Sequence, residues 1–572
     1  MITTVNPAHW VAPGRNASEE ARLSSELGIT PLLASVLNAR GMTDAAFIRE
    51  FLNPNLDSLH KPQLLPDYEL AKAEILRARD TKELIFVHGD YDVDGITSAS
   101  ILDRFLKNIG CNVYAHVPHR MKEGYGVHHS AVQRAADMGA KLFITCDCGT
   151  GAIEQVKMAH ELGMRVVVTD HHSIGDTLPE AEAVINPHRE DSRYPFNELS
   201  GAGVVFKLCA GLAEDLGMPV DKYYHHFLDL AALGTIADVM PLIDENRIIA
   251  KHGLNRLSST QKAGLLALKE VAECPDVINV YQVGFVLAPR LNATGRIDDA
   301  AIALQLLRSK DIEEARKLAK VIDSHNTSRR ESQELMIESA KQQVLDTGQH
   351  EKNVIVVHGE GWHPGIVGIV AGRLVETFYR PTFVFSTDAA LGVAKGSARS
   401  IEKFNLADSI NKFRPLLISG GGHAMAAGCS LPMAVIDEFR AGLDEYAGSF
   451  LKPEDFYLTR QADAEVSLDE LTLDAVAELE LLSPTGPSNP GPSFFSGPLD
   501  VVGIKRTRKP SIVHLSVREQ SGRMMKAVTF TAGESIEESI VGTRLQLFFE
   551  PTINEFNGRT NVELRIKDMR PA

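Results

Sequence analysis

At 572 residues the chain is too long for a single hydrophobic core, so three or four packed units are expected. Its 44% hydrophobic and 23% charged residues are those of an ordinary globular protein; no apolar run reaches the roughly 18 residues of a membrane span, and Met1–Glu20 is too polar for a secretory leader. A net charge of −16 speaks against a uniformly basic surface, and six cysteines without a CxxC pair (Cys111, Cys146, Cys148, Cys209, Cys274, Cys429) speak against a disulfide framework and for a cytoplasmic setting.

Residues 1–65 read as a helical segment, broken around Pro54 and Pro62–Pro66. From 66 to 250 apolar runs alternate with helical patterns. Strands are predicted at Leu84–Val87, Cys111–Val117, Lys141–Cys146 and Arg165–Thr169, and helices at Leu70–Arg79, Thr97 to about Asn108, His129–Met138 and Ile153–Leu162. That alternation predicts an α/β domain built on a parallel, doubly wound sheet. Residues 251–346 form a helical connector, and 312–346 read as one long helix spanning two domains, with Ser324–Asn326 the place for a break. A second α/β domain starts at Val354–Val357 and occupies 347–450.

The remaining stretch, 451–572, changes character. Ser483–Pro498 is a Pro/Gly/Ser-rich loop, and five short strands follow: Leu499–Arg506, Ile512–Arg518, Met525–Thr531, Arg544–Glu550 and Asn561–Lys567, with an Asn557-Gly558 turn before the last. Five such strands suit a small barrel of the OB type, a frequent binder of single strands, although a small sandwich has a similar pattern. Between 503 and 526 lie Lys505, Arg506, Arg508, Lys509, Arg518, Arg523 and Lys526 against one acid, Glu519, so the acidic total hides a local basic patch.

Chemistry concentrates in the first α/β domain. His88-Gly-Asp90-Tyr-Asp92-Val-Asp94-Gly95 follows an apolar strand and opens a helix, with Thr97 or Ser98 available as its N-cap. Three acids at alternating positions repel one another and need a cation; oxygen ligands with an imidazole suit Mg²⁺ or Mn²⁺. The stretch does not suit an EF-hand calcium loop, because the twelfth position from Asp90 is Ile101 and a strand precedes the motif. Two further strands end on Asp147, between Cys146 and Cys148, and on Asp170-His171-His172, and a fourth acid, Asp238, sits in the apolar Gly234–Pro241. One such acid is a helix cap or a polar loop. Four in order, three of them at strand ends, point to a dinuclear metal site in the crevice at the carboxyl ends of the sheet.

These residues resemble the four motifs of the DHH phosphoesterases. The resemblance implies one ion on His88, Asp92 and Asp147 and another on Asp94, Asp147, His171 and Asp238, so that Asp147 bridges. It further implies that His172 faces substrate phosphate, that Asp170 orients a ligating histidine, and that Asp94, Asp147 and His172 carry the reaction. Within that family the rest of the chain is similar to the RecJ exonucleases. The similarity rests on Arg120 in the loop His119–Gly126, on Pro289–Asp298 with Arg290, Asn292 and Arg296, and on Gly361–Arg373. It rests also on Ser397 and Arg399, and on the Gly-Gly-His run containing Gly421, Gly422 and His423 before an Ala-rich helix. Thr485 and Pro487 depart from the segment that usually leads into the family's barrel. The implied function is two-metal hydrolysis, with Mn²⁺ or Mg²⁺, that releases 5′-mononucleotides from the 5′ end of single-stranded DNA in repair and recombination. The implied enzyme is a monomer with no membrane partner and a single-strand-binding protein as candidate partner. The alternative is a DHH phosphodiesterase for short oligonucleotides or cyclic dinucleotides.

Overall fold

The computed structural model describes residues 8–119, 123–297, 299–530, 533, 536–556 and 558–572, and leaves aside the side chains of 296, 297 and 556. The chain forms two compact bodies. One comprises 50–329 with 483–490, the other 1–49, 330–482 and 491–572.

The first body is built on five parallel strands: β1 (Leu84–Gly89), β2 (Asn112–His116), β3 (Ala140–Cys146), β4 (Arg165–Thr169) and β5 (Ala183–Ile185), in the order β2-β1-β3-β4-β5. Their near-continuous apolar runs are those of strands covered on both faces. Ile85, Val87, Leu142, Ile144 and Val167 pack on one side, under α1 (Tyr68–Asp80), α2 (Val93–Asn108) and further helices. Phe86, Phe143, Val166 and Val168 pack on the other, under α3 (His129–Asp137) and α4 (Ile153–Glu161). The strand order reverses at β1, which opens a crevice at the carboxyl ends of β1, β3 and β4. Two long helices, α5 (Gly201–Asp215) and α6 (Val220–Ala237), follow β5 and close over α2.

The predicted start of α2 is corrected. The helix begins at Val93, because the Asp92 carboxylate accepts the Gly95 N–H at 3.1 Å and acts as N-cap. Thr97 and Ser98 instead donate their hydroxyls to the carbonyls of Val93 and Asp94, inside the helix. The long helix spans Ile312–Asp346, and its 35 residues run through Ser324–Asn326 without a break.

In the second body a five-stranded sheet has the order 419–422, 426–432, 393–399, 382–388, 355–360, with only the last pair parallel. The Ala-rich helix expected after the glycine run is the strand Ala426–Pro432, whose small residues pair closely with Ser419–Gly422 and Val393–Arg399. The five predicted C-terminal strands form a closed ring: 499–506 pairs with 513–518, then 524–529, then 559–571, then 544–556, which returns to 499–506. That is the expected small barrel rather than a sandwich. Two short strands absent from the sequence reading, Ala464–Val466 and Phe494–Ser496, extend it beyond 544–556. Among the described residues no helix is long and apolar enough to cross a membrane.

Candidate metal centre

Three strand ends and one helix end bring the acids of the first body together. Asp90, just past β1, is buried; its Oδ1 accepts the Gly126 N–H at 3.4 Å. Asp94, in the first turn of α2, accepts the N–H groups of Gly201 (2.6 Å) and Ala202 (2.9 Å), the first two residues of α5, so a helix N-terminus faces its charge. Asp147 follows β3 with φ of 63°, and its N–H donates to the Thr169 carbonyl at 3.0 Å. His171 Nε2 lies 3.1 Å from Asp147 Oδ1, 3.6 Å from Asp238 Oδ2 at the end of α6, and 3.8 Å from Asp94 Oδ2.

Two groups of potential ligands result. Asp90, Asp92 and Asp147 form one, and Asp94, His171 and Asp238 the other; within each, the donor atoms lie within 4.8 Å of one another. Asp147 touches both, being also grouped with His171 and His172. Burial and the neighbouring Asp92 push the Asp90 carboxyl up to about 8 and that of Asp94 to about 7. Burial with Asp94 raises Asp238 to about 8, and burial with Asp94 holds Asp147 well above the carboxylate range. His171 is pushed down to about 4 by burial, which leaves a neutral imidazole. Asp90 Oδ2, Asp147 Oδ1 and His171 Nε2 are buried and have no hydrogen-bond partner among the described residues. Buried lone pairs without donors are costly, and a set of oxygens with one imidazole fits a divalent cation such as Mn²⁺ or Mg²⁺.

His172 is built differently. Its side chain is 44% exposed, with Nδ1 2.8 Å from Asp170 Oδ1 and Nε2 3.0 Å from the Tyr125 hydroxyl. Burial works against its cation, yet the Asp170 carboxylate raises it to about 9. Asp170 also accepts the N–H groups of His171, His172 and Thr150; these bonds and His172 overcome burial and bring it to about 2. The expectation that Asp170 orients a histidine ring therefore applies to His172 rather than to His171.

The structure does not bring His88 to either group. Its fully buried ring lies between the Gly126 carbonyl, 3.2 Å from Nε2, and His116 Nδ1, 3.2 Å from its own Nδ1. Among the described residues, the group of potential ligands at this end of β1 contains Asp90 and not His88. The alternation of acids at 90, 92 and 94 was the available signal. Also missed were two glycines: a Cβ at Gly201 would lie 2.5 Å from Asp147 Cβ, and one at Gly234 would lie 2.5 Å from Asp94 Oδ1.

Of the arginine motif, Arg290 and Asn292 are described. Arg290 donates to Asp323 (2.9 Å) and to the Val286 carbonyl, and Asn292 Oδ1 accepts the Val93 N–H at 3.2 Å, bracing the acid loop from behind. Arg120 and the Arg296 side chain lie outside the described residues. In the second body Ser397 and Arg399 alternate on one strand and so share a face, with Gly421 and Gly428 in register beside Ser397. Arg399 donates to the Ala398 carbonyl, and among the described residues no carboxylate pairs with it. Gly421, Gly422 and His423 are exposed.

A parallel sheet that gathers two carboxylate-rich groups around a shared aspartate at its switch point defines a dinuclear metal hydrolase. The chain matches the DHH family, N-terminal domain over residues 84–235, the DHHA1 domain over 351–449 and the RecJ OB domain over 462–568. It is 39% identical over 562 residues to the single-stranded-DNA-specific exonuclease RecJ of Bacillus subtilis, covering 98% of this chain and 70% of that protein. To the Escherichia coli RecJ it is 33% identical, with 97% and 98% covered. The crystal structure of Thermus thermophilus RecJ in complex with Mn²⁺ superposes with a TM-score of 0.83 at 29% identity, over 99% of this chain and 79% of that one. The chain belongs to the RecJ family of DHH-domain exonucleases.

Proposed function

We propose that the protein is a metal-dependent exonuclease that degrades single-stranded DNA from its 5′ end to 5′-mononucleotides, serving DNA repair and recombination. The observation that carries this reading is the pair of ligand groups sharing Asp147, with three buried donor atoms left without hydrogen bonds. Asp90, Asp92 and Asp147 would hold one ion; Asp94, His171, Asp238 and again Asp147 would hold the other. Two such ions, when bound, activate a water and neutralise the attacked phosphoryl oxygens.

The chain's own residues do the rest. The first turn of α5 fixes both oxygens of Asp94, so its carboxylate needs no rearrangement on binding. Asp170 locks the His172 ring and keeps it protonated, presenting a half-exposed cation to a phosphate oxygen or to the departing sugar oxygen. Ser397, Arg399, Gly421, Gly422 and His423 supply hydroxyl, guanidinium and backbone contacts to the strand's phosphates, and the basic stretch of the barrel contacts it further along. Cytoplasmic location, action as a monomer and recruitment by a single-strand-binding protein complete the proposal.

The test is incubation of a long 5′-phosphorylated single strand, the same sequence as blunt duplex, and a dinucleotide, each with Mn²⁺ or Mg²⁺. Mononucleotides should be released from the 5′ end of the single strand alone. Release starting at the 3′ end, or a preference for the dinucleotide over the long strand, would overturn this reading.

A further inference from the structure

Eight described residues other than glycine have positive φ, and Val239 (φ 59°) is the one that is β-branched. It occupies the residue after the cap of α6: Val239 N–H donates to the Ile236 carbonyl and Met240 N–H to the Thr235 carbonyl, both at 3.2 Å. That bond pair is the helix-ending motif in which glycine is the usual residue, because a left-handed backbone there crowds any Cβ and a branched one most of all. The side chain gains nothing from the core in exchange, since Val239 is 66% exposed. Strained and exposed at once, it lies next in the chain to Asp238, whose Oδ2 is 3.6 Å from His171 Nε2. Neither helix capping nor packing accounts for valine here. The helix end requires the left-handed backbone but not a branched side chain in it, and strained residues of that kind concentrate at functional sites.

We infer that Val239 is a substrate-contact residue: its isopropyl group forms an apolar wall against the sugar or base of the nucleotide whose phosphate enters the metal centre. This rests on the exonuclease reading above. Such a contact is made equally before and during reaction, so it acts on KM rather than on kcat.

The test compares wild type with Val239→Gly, Val239→Asn and Val239→Ile. On a long single strand, Gly and Asn should raise KM about tenfold, as expected for deleting an apolar contact, with kcat changed less than about twofold, while Ile keeps KM near wild type. Gly and Asn both tolerate left-handed backbone, so their thermal midpoints should rise rather than fall. Mn²⁺ affinity by calorimetry should be the same in all four proteins. An unchanged KM in the Gly and Asn variants overturns the inference, as does an equal loss in the Ile variant. A fall in Mn²⁺ affinity that tracks the lost activity also overturns it, because Val239 would then act only by holding Asp238. A wild-type protein that leaves the strand intact overturns the exonuclease reading and this inference with it, whereas an active wild type with unaltered variants removes this inference alone.

Discussion

The metal centre of the first body and the glycine hairpin of the second, 419–432, both set histidine among glycines, the first with acids and the second with none, and they stand under different constraints. At the centre the side chains of Asp90, Asp94 and Asp147 are buried, and glycine is required for clearance: at Gly234 a Cβ would overlap Asp94, Thr97 and Ala202. On the hairpin Gly421, Gly422 and His423 are exposed, and a Cβ at Gly421 would meet nothing within 4 Å. Buried charge forces the surrounding fold to hold one geometry. Gly421 is free of such a constraint, whereas its neighbour Gly422 is held by close approach to Ala426 and Ala427. Substitutions at the centre should therefore register in both stability and chemistry, and one at Gly421 in substrate affinity alone.

The sharpest division lies inside the centre, between Asp90 and His88. Asp90→Asn should lower kcat on the order of 10³-fold and weaken Mn²⁺ binding, as expected for a group acting as part of one catalytic unit, while His88→Gln should cost less than about tenfold. Equal losses would return His88 to the ligand set.

Next in size is Gly234→Ala. Overpacking against Asp94 should destabilise the first body by about 1–3 kcal/mol, read as a lower denaturant midpoint, and should lower Mn²⁺ affinity as well. An alanine variant of wild-type stability would show that the carboxylate has room to move.

A third measurement concerns charge. Without divalent ions the carboxyls of Asp90, Asp94 and Asp238 sit at about 8, about 7 and about 8. A carboxyl raised above its unfolded value contributes stability that is fully present below about pH 4 and is lost as pH rises through the folded value. The metal-free protein should therefore melt at progressively lower temperature as pH rises from about 4 to about 8, and saturating Mn²⁺ should flatten that decline. A decline of equal slope with and without Mn²⁺ would separate the acid groups from metal binding.

The smallest effect is expected on the hairpin. Gly421→Ala should leave the thermal midpoint unchanged and raise KM for single-stranded DNA severalfold. A lowered midpoint would mean that the hairpin, like the centre, is fixed by packing.

Much of this was legible in the sequence, and the reason differs by region. Strands covered on both faces must be apolar throughout, so β1, β3 and β4 stood out, and acids placed directly after such runs can only lie in the crevice at the sheet's carboxyl edge. The barrel was legible through short strands and turns. The Ala-rich stretch after the glycine run reads as helix because alanine favours helix locally, whereas the close pairing of Gly421 with Gly428 that makes it a strand is a long-range contact. Asn292 carries a polar amide that suits a phosphate, and only packing shows it bound to the Val93 N–H.

By itself the sequence determined the kind of chemistry: hard oxygen donors with imidazole, in an order and at strand ends that permit a two-metal centre. Tertiary structure alone decided which atoms meet. Ligation depends on separations of a few ångströms, and these are set by how β1 ends, how α5 abuts Asp94 and Asp147, and where glycine lets α6 approach. Spacing along the chain cannot tell Asp90 from His88; the turn after β1 can, because it buries the imidazole against Gly126 and His116 and leaves the carboxylate oxygen without a partner.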